Sequence, residues 1–387
     1  MTRTKLGELL VDIQSGFASG DDLEAGGVLQ VRMNNVETDG SWNWSARRMV
    51  PATGKQLERC LLADGDVLFN ATNSPELVGK TALFTGAPEA VVFSNHFLRL
   101  RTDVNRLAPA FLAHWLKAQW ARGIFGTLCN AWVNQASVRK EALLGLEVDL
   151  PSLVEQQCIA AILDKADGVR RKRQEAIRLA DDFMRSCFYE IFGDPVANSR
   201  NWSERAIAEI GKVTTGNTPS RDVDAYFGDA IEWIKSDNIN TAAHWLTSAR
   251  EGLSELGATV ARTAPIGSTL MTCIAGSPSC IGNVAMTDRT VAFNQQINAV
   301  TPKADIEPEF VYALLLFSKG RIQATSTNSM KGMVSKGTLE KVRLIWPPAD
   351  LQEKFVTLFK QVQKLRSRME AADASSLFRA LQSKLLA

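Results

Sequence analysis

The sequence predicts an α+β protein in which two similar globular domains are each followed by a long helix. Three observations support this prediction: an internal repeat with an offset near 200 residues, short apolar runs within each repeat, and an apolar heptad pattern after each repeat. The chain has 387 residues, 45% of them hydrophobic, so it is long enough for more than one domain. The predicted boundaries are 1–150 and 196–346 for the domains, and 151–193 and 347–387 for the helices.

The internal repeat consists of segments that recur in the same order, with offsets between 199 (Pro109 to Pro308) and 203 (Gln30 to Trp233). A period this long is typical of two globular copies and not of a solenoid. The matching segments are Leu6–Leu9 with Ile207–Ile210, Ser15 and Gly16 with Thr215 and Gly216, Gln30–Val36 with Trp233–Ile239, Gly65–Phe69 with Gly267–Met271, Val78–Ala82 with Ile281–Ala285, Val91–Phe93 with Val291–Phe293, and Pro109–Leu112 with Pro308–Val311.

Within each copy, runs rich in Val, Ile, Leu and Phe are punctuated by Gly, Pro, Asn and Asp. Asp64–Phe69 and Ala264–Met271 are examples, and both indicate strands and turns. Helical patterns interrupt the strands at Ala110–Arg122 and Glu309–Ile322. Each copy is therefore predicted to be α+β.

Each copy is followed by apolar residues that step by threes and fours, which predicts a long helix. A helix of about 35 residues would reach roughly 50 Å, more than either domain needs for its own core. We therefore expect the two helices to pack on each other and act as a spacer. The predicted seams are Ile159, Ile162, Ala166, Val169, Arg173, Ala176, Ala180, Phe183 and Cys187 in the first helix, and Phe355, Leu358, Val362, Leu365, Met369 and Ala372, continued by Phe378, Leu381 and Leu385, in the second.

Composition excludes several classes of protein. Neither a signal sequence nor an apolar run of membrane-spanning length is present, which predicts a cytoplasmic protein with no membrane partner. The six cysteines form no Cys-x-x-Cys pair and the three histidines lie far apart, so no metal site is predicted. A net charge of +2 argues against indiscriminate coating of nucleic acid but allows a local basic surface.

Two segments resemble catalytic motifs, but each lacks residues that the motif requires. Gly79–Thr81 resembles the end of a phosphate-binding loop, but Ser74 stands where the first glycine is required. Trp346–Ala349 lacks the polar first residue and the aromatic last residue of the loop with which DNA amino-methyltransferases hold a flipped base. Its prolines instead predict the start of the second long helix.

The chain resembles the specificity subunits of type I restriction-modification systems over nearly its whole length. The resemblance is carried by the Leu6–Leu9 start, the turn Leu150–Ile159, the segment Ile191–Pro195 and Trp202. The Leu-Pro-x-x-x-Glu-Gln-x-x-Ile motif of this family is complete in the first copy. The second copy keeps Pro347 and Gln352 but has Leu351 at the Glu position.

This resemblance implies two target-recognition domains separated by an antiparallel coiled coil, reading a bipartite, non-palindromic double-stranded DNA site. The implied partners are two modification subunits, which bring S-adenosylmethionine and methylate adenine, and restriction subunits, which bring ATP-driven translocation and cleavage. The chain itself would be non-catalytic and would hold no S-adenosylmethionine, ATP or Mg. Its expected role is DNA methylation and phage defence.

Candidate DNA-binding residues are polar side chains in loops at equivalent places of both copies, because base edges and phosphates are bound by such groups. Asparagine in a turn more often bonds the local backbone, which is the competing interpretation for part of this set. The first-domain candidates are Arg32, Asn34, Asn35, Asn70, Asn73, Lys80, Trp132, Asn134, Gln135 and Arg139. The second-domain candidates are Lys235, Asp237, Asn238, Thr272, Ser277, Asn328, Ser329, Lys331, Ser335 and Lys336.

Two other classes of function stay open from the residues alone. One is an enzyme that acts on DNA by itself through an unrecognised site. The other is a coiled-coil scaffold that binds protein. The balanced charge permits the scaffold, whereas the duplicated polar loops favour DNA recognition.

Overall fold

The computed structural model describes residues 2–24, 26–132, 135–327, 332–371, 378, 380–382 and 385–386. The chain divides into two compact units. Unit 1 comprises Met1–Gln174 and Ala372–Ala387, and unit 2 comprises Glu175–Ala371. The division falls inside the first long helix and at the end of the second, so the predicted domain boundaries stay predictions.

Unit 1 is built from short strands and helices. Its strands are β1 (Thr2–Lys5), β2 (Leu10–Ser15), β3 (Val28–Val31), β4 (Met49–Val50), β5 (Val67–Asn70), β6 (Thr72–Asn73), β7 (Thr81–Leu83), β8 (Val91–Phe93), β9 (Phe97–Thr102), β10 (Cys129–Trp132), β11 (Gln135–Val138) and β12 (Glu147–Leu150). Its helices are α1 (Gly54–Cys60), α2 (Pro109–Ala121), α3 (Ile124–Leu128), α4 (Lys140–Leu144) and the first part of α5 (Leu153–Phe192), with 3-10 turns at Leu6–Leu9 and Met33–Asn35.

The strands of unit 1 form two main sheets. One is antiparallel, in the order β2-β9-β5-β7, and the other has the order β4-β3-β8 with β3 and β8 parallel. Helix α2 contributes Phe111, Leu112 and Leu116 to the main core. Phe378, Leu381 and Leu386, from the end of the chain, pack into that same core.

Unit 2 repeats this organisation. Its strands are β13 (Glu204–Ala206), β14 (Gly211–Thr215), β15 (Phe227–Ile234), β16 (Gly252–Leu253), β17 (Thr263–Ala264), β18 (Thr269–Thr272), β19 (Ile274–Ala275), β20 (Val284–Met286), β21 (Val291–Phe293), β22 (Ile297–Pro302), β23 (Gly332–Met333) and β24 (Arg343–Ile345). Its helices are the rest of α5, α6 (Ile207–Ile210), α7 (Glu255–Val260), α8 (Pro308–Phe317), α9 (Lys319–Gln323), α10 (Lys336–Lys341) and α11 (Ala349–Ala371), with 3-10 turns at Asp224–Tyr226, Ser236–Asn238 and Pro278–Cys280.

The sheets of unit 2 have the same connectivity as those of unit 1. The order β14-β22-β18-β20 corresponds to β2-β9-β5-β7, and β16-β15-β21-β17 corresponds to β4-β3-β8 with one added edge strand. The pair β15 and β21 is parallel, as is β3 and β8. The predicted duplicated α+β architecture is therefore confirmed.

Hydrogen bonds explain the polar residues of the Leu-Pro-x-x-x-Glu-Gln-x-x-Ile motif at the start of α5. Ser152 and Glu155 form a reciprocal capping box, with the Glu155 N–H donating to Ser152 Oγ (3.3 Å) and the Ser152 N–H donating to Glu155 Oε2 (2.9 Å). Gln156 is fully buried, accepts from the Ala108 N–H (2.9 Å) and donates to the Arg106 and Pro151 carbonyls. The glutamine of the motif thus joins the start of α5 to the segment that opens α2.

In unit 2 the two long helices pack antiparallel. Phe192 and Phe188, near the end of α5, lie 5.7 and 5.3 Å from Phe355 near the start of α11, measured between ring centroids. Earlier in α5, Asp181 bonds Arg366, which lies later in α11. The reversed order of contacts confirms the predicted antiparallel pairing.

The predicted register of the first seam is wrong by about one residue. Ile162, Val169 and Phe183 are 42%, 44% and 53% exposed, whereas Leu163 and Phe188 are fully buried. The error arises because Gln156 and Asp167 occupy the buried stripe, where they are hydrogen-bonded. In the second seam Leu365 is 51% exposed, Phe355 and Val362 are buried as predicted, and Ala372 lies outside the described residues.

Candidate nucleic-acid interface

The loop that follows β3 and its counterpart after β15 are closed by a buried asparagine. The Asn35 amide accepts from the Arg32 N–H (2.8 Å) and donates to the Asn43 and Ala46 carbonyls. Asn238 likewise accepts from the Lys235 N–H (3.0 Å) and donates to the Ser248 carbonyl. Both side chains are nearly inaccessible, which favours a structural role over the DNA contact predicted for them.

Lys80 also supports the first loop from inside. Its ammonium donates to the carbonyls of Met33 (3.0 Å) and Val36 (2.5 Å), and burial lowers its pKa. In unit 2 the corresponding position is Asn283, whose amide donates to Asn240 Oδ1 (2.8 Å). The geometry therefore favours loop support over DNA contact for Lys80.

A groove of about 470 Å³ opens beside the first loop. Arg32, Asn34 and Arg48 line it together with Asn95 and His96, and its lining residues include no carboxylate. Arg32 Nε is shielded from solvent and has no hydrogen-bond partner within the described part of the chain. We call this the Arg32 groove; it brings together two predicted residues, Arg32 and Asn34.

In each unit a glycine lets one loop lie close against the end of a strand. A Cβ on Gly16 would lie 2.2 Å from the Phe93 carbonyl oxygen, and one on Gly216 would lie 2.2 Å from the Asn294 carbonyl oxygen. No side chain fits at either position, so the loop after β2 or β14 is held against the end of β8 or β21. This explains why the Gly16 and Gly216 positions recur in the repeat.

The equivalent place in unit 2 has different chemistry. The Gln30 N–H donates to the Arg48 carbonyl (2.9 Å) and the Trp233 N–H donates to the Glu251 carbonyl (3.1 Å), so Glu251 occupies the position of Arg48. Lys235 and Arg221 both bond the Glu251 carboxylate. The hydrogen bond from Lys235, aided by that from Arg221, holds the pKa of Glu251 below its usual range.

Two aromatic rings of unit 2 also contact Arg221 and Lys235. Arg221 lies 4.8 Å from the ring centroid of Phe227 and 5.2 Å from that of Trp233, and Lys235 Nζ lies 5.1 Å from Trp233. These contacts add cation–π attraction to the ion pairs. Asp237, on the same loop, is exposed.

The predicted residues at the ends of β5 and β18 are buried. Asn70 is inaccessible, its amide donating to the Thr72 and His96 carbonyls and its oxygen accepting from Asn73 Nδ2 (2.6 Å). Thr272 is equally buried and donates to Asn240 Oδ1 (3.2 Å). These contacts favour a structural role for Asn70 and Thr272, while Asn73 is half-buried.

The remaining described candidates are exposed and do not line the Arg32 groove. Gln135 begins β11, Arg139 precedes α4, and Ser277 Oγ bonds Ser279 Oγ (2.8 Å). Ser335 caps α10 by accepting from the Thr338 N–H (3.1 Å), and Lys336 lies 3.6 Å from Glu340. Asn134, Asn328, Ser329 and Lys331 lie outside the described residues, as does the side chain of Trp132.

Sequence reasoning missed Arg48, Asn95 and His96 in the first domain, and Arg221 and Glu251 in the second. Arg48 lies far along the chain from Arg32, and only the pairing of β3 with β4 brings the two into one groove. An alignment of the two copies through the strands would have matched Arg48 to Glu251, although neither belongs to a recurring segment.

In each unit, the loop that follows the parallel strand β3 or β15 is joined to a long helix through a largely inaccessible arginine. In unit 1, Arg170 on α5 bonds Asp39 (2.7 Å) and Asp167. In unit 2, Arg366 on α11 bonds Asp181 (2.8 Å), which also accepts from His244 in the loop (3.0 Å). We call these contacts the Arg170 clasp and the Arg366 clasp; within its own unit, each couples loop position to helix position.

In the Arg170 clasp, burial and hydrogen bonds act in opposite directions on the pKa of Asp39. Burial alone would raise the pKa of Asp39, but hydrogen bonds from the Ser41 hydroxyl and N–H and from Arg170 outweigh it and lower the pKa from 3.8 to about 2. Asp39 is therefore ionised at neutral pH and pairs with the Arg170 guanidinium.

Within the described residues the chain has neither a metal cluster nor a membrane-spanning helix. No group of three or more His, Cys, Asp or Glu side chains there has metal-binding geometry. No helix among the same residues is both long and apolar enough to cross a membrane.

Comparison with known proteins identifies the family. The type I restriction modification DNA specificity domain matches residues 26–178 and 199–374. The putative type I restriction enzyme MjaX specificity subunit of Methanocaldococcus jannaschii is 23% identical over 320 residues, 78% of this chain and 72% of that protein. The type I restriction enzyme HindI specificity subunit of Haemophilus influenzae is 28% identical over 177 residues, 42% of this chain and 36% of its own length.

The fold is shared with a solved structure. The crystal structure of the S subunit of a type I restriction-modification system from M. genitalium covers 100% of this chain and 96% of its own, with a TM-score of 0.62 at 15% identity. The two matched domains cover most of the chain and coincide with the observed structural repeat. The chain therefore belongs to the type I restriction-modification DNA specificity family.

Proposed function

We propose that this chain is the non-catalytic DNA-recognition subunit of a type I restriction-modification complex, with each domain reading one half of a split, non-palindromic site. The observation that carries the proposal is a pair of matching loops with different side chains. Arg32 and Arg48 in unit 1 occupy the positions that Lys235 and Glu251 hold in unit 2.

Different side chains at matching positions favour different half-sites. The two loops present different groups to DNA, with guanidinium donors in unit 1 and a carboxylate bonded to two cations in unit 2. Two non-identical readers on one chain address a DNA site that lacks two-fold symmetry. A protein-binding scaffold would not need polar surfaces of this kind in duplicate.

Catalysis is assigned to partner subunits in this proposal. The sequence lacks the loop with which amino-methyltransferases hold a flipped base, and its Gly79–Thr81 segment lacks a complete phosphate-binding motif. S-adenosylmethionine, ATP and Mg would thus be bound by the modification and restriction subunits, and the complex would act on DNA in the cytoplasm.

Helix α5 offers docking surfaces for the two modification subunits. It exposes Ile162 and Val169, one heptad apart, in unit 1, and Leu179 and Phe183 in unit 2. Exposed apolar side chains at helical spacing favour contact with a partner helix. Each unit therefore carries its own docking surface on α5.

The test is genome-wide mapping of methylated adenine in cells that carry a modification subunit with or without this chain. A split motif that depends on the chain would support the proposal. If the two proteins associate but no new motif is methylated, the chain acts as a scaffold and the proposed recognition role is wrong.

A second experiment tests the spacer. Lengthening both long helices by one heptad should widen the unread spacer and leave both half-sites unchanged, because a heptad adds about 10 Å while preserving the helix face. A change in either half-site would contradict the role of the helices as a ruler.

A further inference from the structure

We propose that the Arg32 groove binds a phosphate of the DNA backbone, whereas Glu251 neutralises the equivalent cations of the second domain. The inference rests on the proposed function. It adds that the two domains differ in the positive charge that they offer to the DNA backbone.

The guanidinium of Arg32 is poised for an external ligand. It lines the groove, and no carboxylate among the groove's lining residues pairs with it, so its positive charge is not neutralised there. Arg48 on the same groove donates through Nε to the Asp21 carbonyl (2.9 Å) and through a terminal nitrogen to the Ser19 carbonyl (3.1 Å). These neutral acceptors fix the Arg48 side chain and leave its charge uncompensated.

The shape of the groove favours a phosphate over a base edge. Base edges lie at the floor of the DNA grooves, so a protein reads them with an element that protrudes. The Arg32 groove is a recess, and the part of a duplex that protrudes into a recess is its backbone. Arginine binds phosphate through paired N–H donors, and the amides of Asn34 and Asn95 at the groove can add neutral donors.

The second domain is arranged differently at the same place. Lys235 and Arg221 are both bonded to Glu251, and these bonds keep the carboxylate ionised. A phosphate that approaches Lys235 must therefore compete with a carboxylate already in contact. Removing the negative charge of Glu251 should free both cations for the DNA backbone.

The experiment uses the complex of the full chain with its modification subunit. Binding to an unrelated 30-base-pair duplex and to the methylated motif is measured over a salt series. Arg32→Gln should weaken both complexes by about three- to tenfold and reduce the slope of log K against log salt by about one. The methylated motif should not change, and Arg32→Lys should preserve most of the slope.

Glu251→Gln should have the opposite effect, with tighter binding and a steeper salt dependence. The matched control is Arg47→Gln, because Arg47 neighbours Arg48 but is already paired with Glu89 (2.7 Å). This control should leave the slope unchanged.

Several results would overturn the inference. An unchanged slope for Arg32→Gln would exclude a phosphate contact, and a changed methylated motif would identify a base contact instead. Unchanged or weaker binding by Glu251→Gln would exclude the neutralising role of Glu251. A wild-type complex that binds no duplex and methylates no split motif would contradict the proposed function itself, an outcome separate from all of these.

Discussion

The two domains share a backbone framework and differ in the side chains that it presents. In both, a buried asparagine closes the loop after the parallel strand, and a glycine lies against the end of the neighbouring strand. At the groove, however, unit 1 has Arg32 and Arg48 without a carboxylate, and unit 2 has Lys235 and Arg221 bonded to Glu251. The contrast teaches that backbone geometry was preserved while recognition chemistry diverged.

The Arg170 clasp and the Arg366 clasp likewise share a framework and differ in the side chains that the loops supply. Arg170 and Arg366 each lie a similar distance beyond a buried or half-buried glutamine near the helix start, and both are largely inaccessible. The loop of unit 1 offers a carboxylate, Asp39, directly to its arginine. The loop of unit 2 offers His244, which reaches Arg366 through Asp181. The loop thus supplies a carboxylate in unit 1 and an imidazole in unit 2, although the attachment to a helix persists.

The largest effect of a mutation is expected where the two long helices pack against each other in unit 2. Phe188 is fully buried among Phe192, Phe317 and Phe355 in unit 2, with ring centroids 4.5 to 5.3 Å away. Phe188→Ala should lower the free energy of unfolding of unit 2 by about 3–5 kcal/mol, because it leaves a cavity. Urea denaturation checks this, with Phe183→Ala on the exposed face as control. Equal losses for both variants would contradict the observed helix face.

The glutamines of the repeated motif should differ in their importance. Gln156 makes three buried hydrogen bonds, whereas Gln352 is only half-buried and donates to the Pro347 carbonyl (2.8 Å). Gln156→Met should therefore cost about 2–4 kcal/mol and Gln352→Met about 1 kcal/mol, since each orphaned buried group carries a desolvation penalty. Thermal and urea unfolding of the two variants test the order, and a larger loss for Gln352→Met would reverse the comparison.

The Arg170 clasp should give unit 1 a specific sensitivity to acid. The pKa of Asp39 is about 2 in the folded protein and 3.8 as its ordinary value, so the unfolded state takes up the proton first. The stabilisation is present above about pH 4 and is lost as pH falls towards 2, about 2 kcal/mol in all.

Asp39→Asn tests this dependence, because asparagine keeps the shape and removes the charge. Unit 1 of the variant should already be less stable at pH 7 and should lose less stability between pH 5 and pH 3 than the wild type. Hydrogen exchange of the 38–42 segment reports the loop directly. The same acid dependence in both proteins would show that Asp39 is not its source.

The duplication and the fold class could be predicted from the sequence because they depend on backbone and core residues, whose apolar pattern and glycines recur. Two features could not be predicted in this way. Gln156 and Asp167 are polar but buried, so a count of apolar residues selected the wrong face of α5. Asn35, Asn70, Lys80 and Asn238 look like surface donors, yet the structure satisfies their hydrogen bonds internally.

The Arg32 groove was only half visible in the sequence for a related reason. Arg32 and Asn34 were identified from their polar cluster, but Arg48, Asn95 and His96 come to the same recess through strand pairing between distant segments. Local composition reports which side chains a loop carries. It does not report which loops meet.

The central claim, that the two domains read separate half-sites, is tested most directly by mapping methylated adenine with single-domain variants. Gln135→Ala alters an exposed residue of unit 1 that lies outside the Arg32 groove, and Asp237→Ala alters the exposed loop of unit 2. We predict that the first change alters or relaxes one half of the split motif and the second change the other half, with the spacer constant. Both halves changing together in either variant would contradict the claim.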